Sequence, residues 1–194
     1  MVSFTTKTLQ SDPAHDYYVE TNFKRHIICY KAHLTEALKQ VLMDPDPFLQ
    51  THLLKDDGTT TKVSLVKLED FNIVVKRFNI KNLRHGLKRA VQPTRALHCW
   101  RNALRLQAHQ INTPKPIAMV EKRWGPFRRE GYFIYEYLPA VDAETVFMEQ
   151  QHDHDYLETL ASSLIKQIKK MFTNHIVHRD MKLTNFLFYQ QQAY

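Results

Sequence analysis

A short segment near the carboxyl end of the chain groups side chains that could act on a phosphate. Asp180, Lys182 and Asn185 fall within one run of six residues. An aspartate can orient a hydroxyl group and accept its proton, a lysine can meet a negatively charged phosphoryl group, and an asparagine can hold Mg²⁺ through its amide oxygen. Phosphoryl transfer depends mainly on such positioning and charge neutralisation. The segment therefore predicts a phosphotransferase site in which Asp180 and Lys182 are catalytic and Asn185 is a metal ligand.

The order of these residues is itself informative. Residues His178 to Asn185 read HRDMKLTN, which fits the pattern H-R-D-x-K-x-x-N of protein-kinase-like catalytic loops. Five specified residues coincide by chance at about one start in a million. We expect His178 and Arg179 to shape the loop. The alternative interpretation is a solvated turn after a helix, where the same residue types are common.

Lys76 is a candidate for binding the nucleotide phosphates. It follows the apolar run Ile73 to Val75, in the way that the phosphate-binding lysine of kinases ends the strand sequence V-A-I-K. Strands often end in lysine, so the match depends on its position upstream of a helix and of the HRD loop. The prediction is that Lys76 lies on a strand and contacts bound ATP.

Two further segments are candidates for contacts with ATP. The turn KDDGTTTK, Lys55 to Lys62, offers backbone N–H groups near Gly58 and Thr59 that could face phosphates, although a glycine-rich loop has three glycines and this turn has one. A plain hairpin turn is equally consistent with this sequence. Glu136 and Leu138, at the end of the last predicted strand, lie where main-chain groups would meet the adenine ring.

Hydrophobic periodicity predicts the elements that position these residues. It indicates an antiparallel meander, a helix with a basic back, two more strands joined by a charged loop, and a long helix that begins at Asp153 as N-cap. An earlier amphipathic helix is predicted before the DPDP segment. The predicted helices lie within Tyr30–Met43, at Arg95–Ala108 and along the stripe Leu157–Met171; the predicted strands are His52–Lys55, Lys62–Leu68, Phe71–Phe78, Ile117–Val120 and Tyr132–Tyr137.

The order of these elements predicts an α+β, protein-kinase-like fold. Residues 1–50 are expected to form a helical amino-terminal extension. Residues 51–138 are expected to form a strand-rich N-lobe that includes one helix. Residues 139–194 are expected to begin a helical C-lobe and to run through the catalytic loop, so that the plan is truncated.

The charge distribution predicts an anionic partner. The net charge is +7, and residues 76–120 contain ten Lys or Arg and no Asp or Glu. A solvated basic face, nucleic acid and an anionic lipid surface are the open interpretations. Nucleic acid ranks last, because Phe78 and Trp100 are the only aromatic residues in this stretch that could stack on bases. No apolar run approaches the length of a membrane span and no secretory leader is evident, so a cytoplasmic location is expected.

The sequence resembles the bacterial lipopolysaccharide kinase family, the Kdo and heptose kinases of the inner core. The resemblance covers about residues 50–190 and depends on VVKRF at Val74, on RALHCWRNALRLQAHQINTPKPIAMVEKRWGPFRREGYFIYEYLPA up to Ala140, and on HRDMKLTNFL. Its more specific runs are W-R-N-A, N-T-P-K-P and E-K-R-x-G-P. The resemblance implies a kinase-like fold, ATP with Mg²⁺, and phosphate transfer to a sugar hydroxyl of the lipopolysaccharide core at the cytoplasmic face of the inner membrane.

Two departures from the kinase pattern limit these expectations. A protein kinase pairs the strand lysine with a glutamate on the next helix, yet no acid lies between Arg77 and Val120. Lys76 is therefore expected to be held by phosphate alone or by a distant acid. The residues after Asn185, FLFYQQQAY, contain no counterpart of the D-F-G aspartate. We expect the 194-residue chain to be an inactive, poorly soluble fragment in which the stripe Leu157–Met171 lacks its usual cover.

Two other functions remain open from the sequence. One is a kinase of the same fold that acts on a protein or a small molecule. The other is a pseudokinase or binding module, which would hold an anionic partner through the basic residues between Lys76 and Lys115 without turnover.

Overall fold

The structure is a computed structural model that describes residues 16–58, 60–79, 92–150, 153–177 and 180–194. The described residues divide into two compact units. The first contains those up to Arg101 together with Lys115–Tyr137, and the second contains Asn102–Pro114 and Leu138–Tyr194. The boundary between Tyr137 and Leu138 lies at the predicted end of the N-lobe, whereas Asn102–Pro114 was predicted to belong to that lobe.

The first unit is built on a seven-stranded antiparallel sheet, in which the strands lie in the order β1-β2-β6-β7-β5-β4-β3. The three strands predicted between His52 and Phe78 are confirmed, with ends shifted by at most one residue. The strands are β1 (Tyr17–Thr21), β2 (Arg25–Tyr30), β3 (Leu53–Asp56), β4 (Thr61–Lys67), β5 (Asn72–Phe78), β6 (Pro116–Trp124) and β7 (Phe127–Glu136).

The amino-terminal segment differs from the predicted helical extension. Strands β1 and β2 pair with each other, and β2 pairs with β6, so these residues complete the sheet. Helix α1 (Glu36–Met43) is shorter than predicted. Its N-cap is Thr35, whose side chain accepts a hydrogen bond from the backbone N–H of Leu38. The short apolar run in RHIICY does not distinguish strand from helix, and its pairing with a distant strand decided the outcome.

One face of the sheet is covered by α1 and by the 3₁₀ helix Asp46–Gln50. The apolar stripe of α1, Leu38, Val41 and Leu42, is buried against residues of β5 and its neighbours, such as Val75. Because successive strand residues alternate in direction, Lys76 points to the opposite face. Lys76 and Arg77 therefore lie on different faces of the sheet, so these two cations do not share one surface.

Helix α2 (Arg95–Ala108) is confirmed with the predicted bounds. Its first turn lies close to β7, since a Cβ atom placed on Gly131 would be 2.9 Å from the Cβ of Ala96. Glycine at position 131 therefore permits the close approach of this helix to the sheet. The charged segment between β6 and β7 was predicted to be a loop, but both strands continue through it and only Gly125 and Pro126 form the turn.

The second unit combines helices α3 (Ala143–Glu149) and α4 (His154–Thr173) with a three-stranded antiparallel sheet in the order β10-β9-β8. The predicted N-cap of α4 is confirmed, because Asp153 accepts a hydrogen bond from the backbone N–H of Tyr156 at 3.0 Å. The strands of the small sheet are β8 (Val141–Asp142), β9 (Leu187–Tyr189) and β10 (Gln192–Ala193).

The expectation that the stripe of α4 lacks a cover is wrong for its central part. Leu160 and Leu164 are buried against Val146 of α3 and against Phe186 and Phe188, which follow the predicted catalytic loop. The nine residues after Asn185 thus supply part of the missing cover by folding back as a hairpin. The apolar side chains of α4 that remain exposed lie off this stripe, at Ile165 and Phe172.

The protonation of His26 makes the stability of the sheet depend on pH. Burial, followed by the nearby charge of Arg123, lowers the pKa of His26 from 6.5 to about 4. Above pH 6.5 the group has no effect, but between pH 6.5 and 4 the unfolded chain binds a proton that the folded chain does not. We predict that the free energy of unfolding falls as the pH is lowered from 6.5 to 4. It should fall less in His26→Asn, in which the amide can still contact Thr21. Urea unfolding at several pH values measures it, and parallel curves for the two proteins would contradict the assignment.

Candidate phosphotransferase site

The structure brings the three predicted loop residues together. The amide nitrogen of Asn185 donates to the backbone oxygen of Asp180 at 2.8 Å and to its carboxylate at 3.1 Å. The ammonium group of Lys182 lies 3.2 Å from the other carboxylate oxygen of Asp180. Asn185 ends a 3₁₀ turn (Leu183–Asn185), so the three side chains are not dispersed along a regular helix. His178 and Arg179 lie outside the described residues.

This arrangement leaves the reactive groups accessible. The side chains of Asp180 and Lys182 are 63% and 69% exposed. The two bonds donated by Asn185 use its amide nitrogen, which orients the amide and leaves its oxygen as the atom suited to Mg²⁺. An amide oxygen is a hard donor of the kind that this ion prefers. No cluster of three or more His, Cys, Asp or Glu that could hold a metal by itself occurs among the described residues.

The loop is positioned by the residues that follow it. The side chains of Phe186 and Phe188 are buried, and Phe188 packs edge-on against Phe147 of α3 with ring centroids 5.9 Å apart. The backbone oxygen of Phe186 accepts a hydrogen bond from Ala143 at 2.9 Å, which ties the loop to the start of α3. The buried side chains that follow the loop thus hold the exposed site in place.

Polar contacts fix the hairpin of β9 and β10 to the rest of the second unit. The side chain of Ser163 on α4 accepts a hydrogen bond from the backbone N–H of Ala193 at 2.9 Å. The side chain of Asn112 donates to the backbone oxygen of Ala193 at 3.0 Å, and its own backbone N–H donates to the buried side chain of Gln167 at 3.1 Å. These bonds connect α4, the hairpin and the segment after α2 around one strand end.

Lys76 lies in the middle of the sheet of the first unit. On β5 it is opposite Val63 of β4 and Phe133 of β7. Its ammonium group lies 5.6 Å from the centre of the Phe78 ring, and the Arg95 guanidinium of α2 also lies over that ring, at 4.8 Å. The lysine is therefore packed among apolar and cationic neighbours in a half-buried position.

No described carboxylate forms an ion pair with Lys76 in the structure. Burial lowers the pKa of Lys76, while the thiol of Cys99 on α2 opposes this change and Arg95 reinforces it. Burial in turn raises the pKa of Cys99. The residue of α2 that faces Lys76 is thus a cysteine, whereas a protein kinase would use a glutamate. Since no described carboxylate forms an ion pair with it, the ammonium group of Lys76 is available to a phosphate.

A buried carboxylate that the sequence did not predict anchors α2. Glu121 on β6 is fully buried, and its Oε1 accepts a hydrogen bond from the hydroxyl of Thr94 at 2.6 Å. Thr94 directly precedes α2, and its side-chain oxygen accepts a bond from the backbone N–H of Leu97 at 3.2 Å. The guanidinium of Arg123 lies 2.6 Å from Oε2 of Glu121, and that of Arg128 lies 3.6 Å away. These contacts lower the pKa of Glu121 against the opposing effect of burial.

The signal for this anchor was present in the sequence but ambiguous. Glu121, Arg123 and Arg128 belong to the segment that was predicted to be a charged loop. Their alternation along two strands becomes visible only with the pairing register. Asp46 in the DPDP segment is a similar case. It accepts a hydrogen bond from Tyr132 at 2.8 Å and pairs with Arg77 and Lys122 at 3.1 and 2.7 Å.

The turn predicted to face phosphates has most of its backbone donors engaged. The backbone N–H of Gly58 donates to Asp56 at 2.9 Å, and those of Thr60 and Thr61 donate to Asp57 at 2.6 and 2.8 Å. Gly58 has a φ of 72°, which suits a tight hairpin turn. A phosphate at this turn would have to displace the Asp57 carboxylate. Thr59 lies outside the described residues.

The end of β7 is fixed by a local exchange of hydrogen bonds. The carboxylate of Glu136 accepts a bond from the backbone N–H of Lys115 at 2.8 Å, and the backbone N–H of Glu136 donates to the oxygen of Lys115 at 2.9 Å. The backbone oxygen of Leu138 accepts a bond from Ala140 at 2.8 Å. The Glu136 side chain is thus structural, and contact with adenine through the main chain at Glu136 and Leu138 stays a prediction.

Comparison with known proteins places the chain in a family. The model of the Lipopolysaccharide kinase (Kdo/WaaP) family matches residues 54–194, which is most of the chain. The chain belongs to this family. The resemblance expected from the sequence is thereby confirmed. No curated protein matches the chain.

A solved structure supports the fold of this lipopolysaccharide kinase family member. The chain is similar to the protein described as WaaP in complex with acyl carrier protein, with a TM-score of 0.53 and 18% sequence identity. The match covers 79% of this chain and 61% of that chain, so the present chain spans less than two thirds of its neighbour. It confirms the α+β, protein-kinase-like fold. No helix among the described residues is long and apolar enough to span a membrane.

The anchor at Glu121 can be tested by removing its charge. We predict that Glu121→Gln lowers the free energy of unfolding by about 3 kcal/mol, because two guanidinium groups lose the carboxylate that neutralises them. The pKa of Glu121 is lowered by folding, so its contribution is present above pH 4.5 and is lost as the pH falls through the lower, folded-state value. Glu130→Gln is the matched control, since it removes a carboxylate whose single ion pair among the described residues is a long one, 3.7 Å, with the exposed Arg129. Equal, small losses in both variants by urea unfolding at neutral pH would refute the anchor.

Proposed function

We propose that this family member binds Mg-ATP and that its site serves phosphoryl transfer to a sugar hydroxyl of the lipopolysaccharide inner core, Kdo or heptose. The observation that carries the proposal is the convergence of Asp180, Lys182 and Asn185 on an exposed loop, in a chain of the lipopolysaccharide kinase family.

Each side chain of the loop has one role in this proposal. The exposed carboxylate of Asp180 orients the sugar hydroxyl and accepts its proton. The ammonium group of Lys182 neutralises the charge that develops on the transferred group. The ion pair between Lys182 and Asp180, at 3.2 Å, holds both side chains in position until the substrates bind and replace this contact. The amide oxygen of Asn185 holds Mg²⁺, which supplies charge neutralisation on the phosphates when it is bound.

Lys76 is proposed to bind the phosphates of ATP. No described carboxylate forms an ion pair with it, and the charges of Arg95 and Lys55 affect its pKa more than the charge of Asp57 does, so an additional anion is favourable at its position. A contribution from the Gly58 turn requires the Asp57 carboxylate to move. Main-chain groups at Glu136 and Leu138 are proposed to contact the adenine ring.

The acceptor is proposed to be a lipid-linked, phosphorylated sugar at the cytoplasmic face of the inner membrane. Exposed cations of the basic stretch, such as Arg101 and Arg105 on α2, suit an anionic glycolipid. The protein is then cytoplasmic and peripheral to that membrane.

A nucleotide-binding module without turnover is the second candidate function. It is favoured by the composition of residues 186–194, which contain no Asp or Glu that could hold a second Mg²⁺. We therefore infer that these 194 residues bind Mg-ATP but show little or no transfer by themselves.

Binding of the nucleotide tests the site in the first unit. We predict that Lys76→Met weakens the affinity for Mg-ATP by about 10- to 100-fold, because a charge-assisted contact with phosphate is lost. Lys67→Met, at the exposed end of β4, removes the same charge from the same sheet and should leave the affinity unchanged. Isothermal titration measures both variants. Equal affinities for the wild type and Lys76→Met would exclude Lys76 from the site.

Transfer of labelled phosphate separates the two candidate functions. We expect the 194-residue chain, with γ-labelled Mg-ATP and dephosphorylated inner-core lipopolysaccharide, to give a signal close to background while Mg-ATP binding is retained. Asp180→Asn is the control, since loss of the general base lowers transfer by about 10²- to 10⁴-fold. Clear labelling of the sugar that disappears in Asp180→Asn would show that the chain is an active kinase. Absence of both binding and labelling would contradict both candidates.

A further inference from the structure

Two hairpin tips in the first unit form an exposed aromatic cluster. The turn between β1 and β2 carries Phe23, and the ends of β6 and β7 carry Trp124 and Phe127. The ring centroids of Phe23 and Trp124 lie 6.5 Å apart, and those of Trp124 and Phe127 lie 6.2 Å apart. Phe23 is 60% exposed and Trp124 is 65% exposed. Contiguous exposed apolar rings, unlike single exposed apolar residues, indicate an interaction surface for a protein, a membrane or a ligand.

The backbone holds this cluster in place. The backbone N–H of Arg123 donates to the oxygen of Lys24 at 2.7 Å, and that of Gly125 donates to the oxygen of Phe23 at 2.9 Å. Gly125 has a φ of 59°, and a Cβ atom there would be 3.0 Å from the Phe23 ring. The two turns are thus joined with their rings in contact. Because the rings lie on turns at strand ends, they form a projection and not a groove.

Positive charge surrounds the aromatic rings. The segments Asn22–Arg25 and Lys122–Arg129 contain six Lys or Arg and no Asp or Glu. Lys24 and Arg129 are exposed. The guanidinium groups of Arg123 and Arg128 face the buried Glu121, so they contribute less to the surface field. An exposed apolar centre with cations at its edge results.

Two carboxylates that flank the turn segments in sequence are paired with arginines. Glu20 lies 3.8 Å from Arg25, and Glu130 lies 3.7 Å from Arg129. Neither belongs to the two turns. The tips therefore present no acidic side chain that would repel an anionic surface.

We propose that this tip cluster, defined as Phe23, Lys24, Trp124, Phe127 and Arg129, docks the protein on an anionic phospholipid bilayer. The rings enter the headgroup region, where Trp and other aromatic side chains are favoured. The cations lie against lipid phosphates, which attract basic groups near the surface. A convex projection suits a deformable bilayer better than a folded partner, which would need a complementary groove.

The inference deepens the proposed function, on which it rests for placing the chain at a membrane. It assigns membrane contact to residues outside the phosphate-binding and catalytic positions. A lipid-linked acceptor has its reacting sugar close to the bilayer surface. Docking through the tip cluster would raise the local concentration of this acceptor without occupying Lys76 or the loop at Asp180.

Vesicle binding with tryptophan fluorescence tests the proposal directly. The 194-residue chain is titrated with vesicles of phosphatidylcholine alone and with vesicles that also contain phosphatidylglycerol. Trp100 is only 3% exposed, so Trp124 dominates any change in emission on binding. We expect a blue shift and flotation with the anionic vesicles, weakened by added salt, and little of either with the neutral ones.

Variants of the tip cluster identify the residues responsible. Trp124→Ser and Phe23→Ser should each weaken partitioning onto the vesicles by at least about tenfold. Each variant loses the favourable free energy of transferring an apolar ring from water into the bilayer. Lys24→Gln and Arg129→Gln should each weaken it by about fivefold and reduce its dependence on salt. Circular dichroism and thermal unfolding confirm that each variant folds. The charge variants keep the rings in place and so test the proposal even if a ring variant is unstable.

Two controls make the result decisive. Phe172→Ser changes an equally exposed aromatic residue on α4, which lies near Lys169 in sequence, and should leave partitioning unchanged. Lys76→Met should also leave it unchanged, so a failure of the nucleotide site can be told apart from a failure of docking. Binding that depends on Phe172 and not on the tips would overturn the proposal. So would wild-type protein that ignores anionic vesicles but binds an acidic protein through the tips.

Discussion

The carboxylate of Glu121 is fully buried in the first unit, and Thr94, Arg123 and Arg128 together compensate the loss of its hydration. Two parts of the unit depend on this contact. Through Thr94 it fixes the start of α2, the helix that places Cys99 beside Lys76. Through the two arginines it braces the hairpin of β6 and β7, whose tip carries exposed aromatic rings. A single buried carboxylate thus helps to position both the helix beside the candidate nucleotide-binding lysine and the hairpin that carries the candidate membrane surface.

This anchor also explains how α2 can be positioned without a glutamate. In protein kinases an ion pair between the strand lysine and the following helix reports that the helix is in place. Here the helix has no acid, is held at its first turn by Thr94 and approaches β7 closely at Gly131. The lysine is left half-buried among apolar and cationic neighbours. An anionic ligand can therefore neutralise the charge of Lys76. This is the physical basis for assigning the lysine to phosphate binding.

The second unit separates chemistry from positioning. The groups suited to catalysis, Asp180 and Lys182, are exposed and form an ion pair, whereas the residues that hold their loop are buried. Phe186 and Phe188 pack under α3 and α4, and the hairpin that follows is tied to α4 at Ser163. An exposed polar loop on an apolar base can exchange its internal hydrogen bonds for contacts with substrate at little cost to the fold.

The sequence by itself determined the local features: the HRD loop with its three chemical groups, the strands from His52 to Phe78, helix α2 with its bounds and the N-cap Asp153. Each follows from short-range periodicity or spacing, which neighbouring residues alone encode. Tertiary structure decided the rest. It paired β1 and β2 with β6, turned the charged segment around Glu121 into two strands and covered α4 with the terminal hairpin. These outcomes depend on partners distant in sequence, because a charged or ambiguous segment becomes a strand only where another strand and a counter-charge meet it.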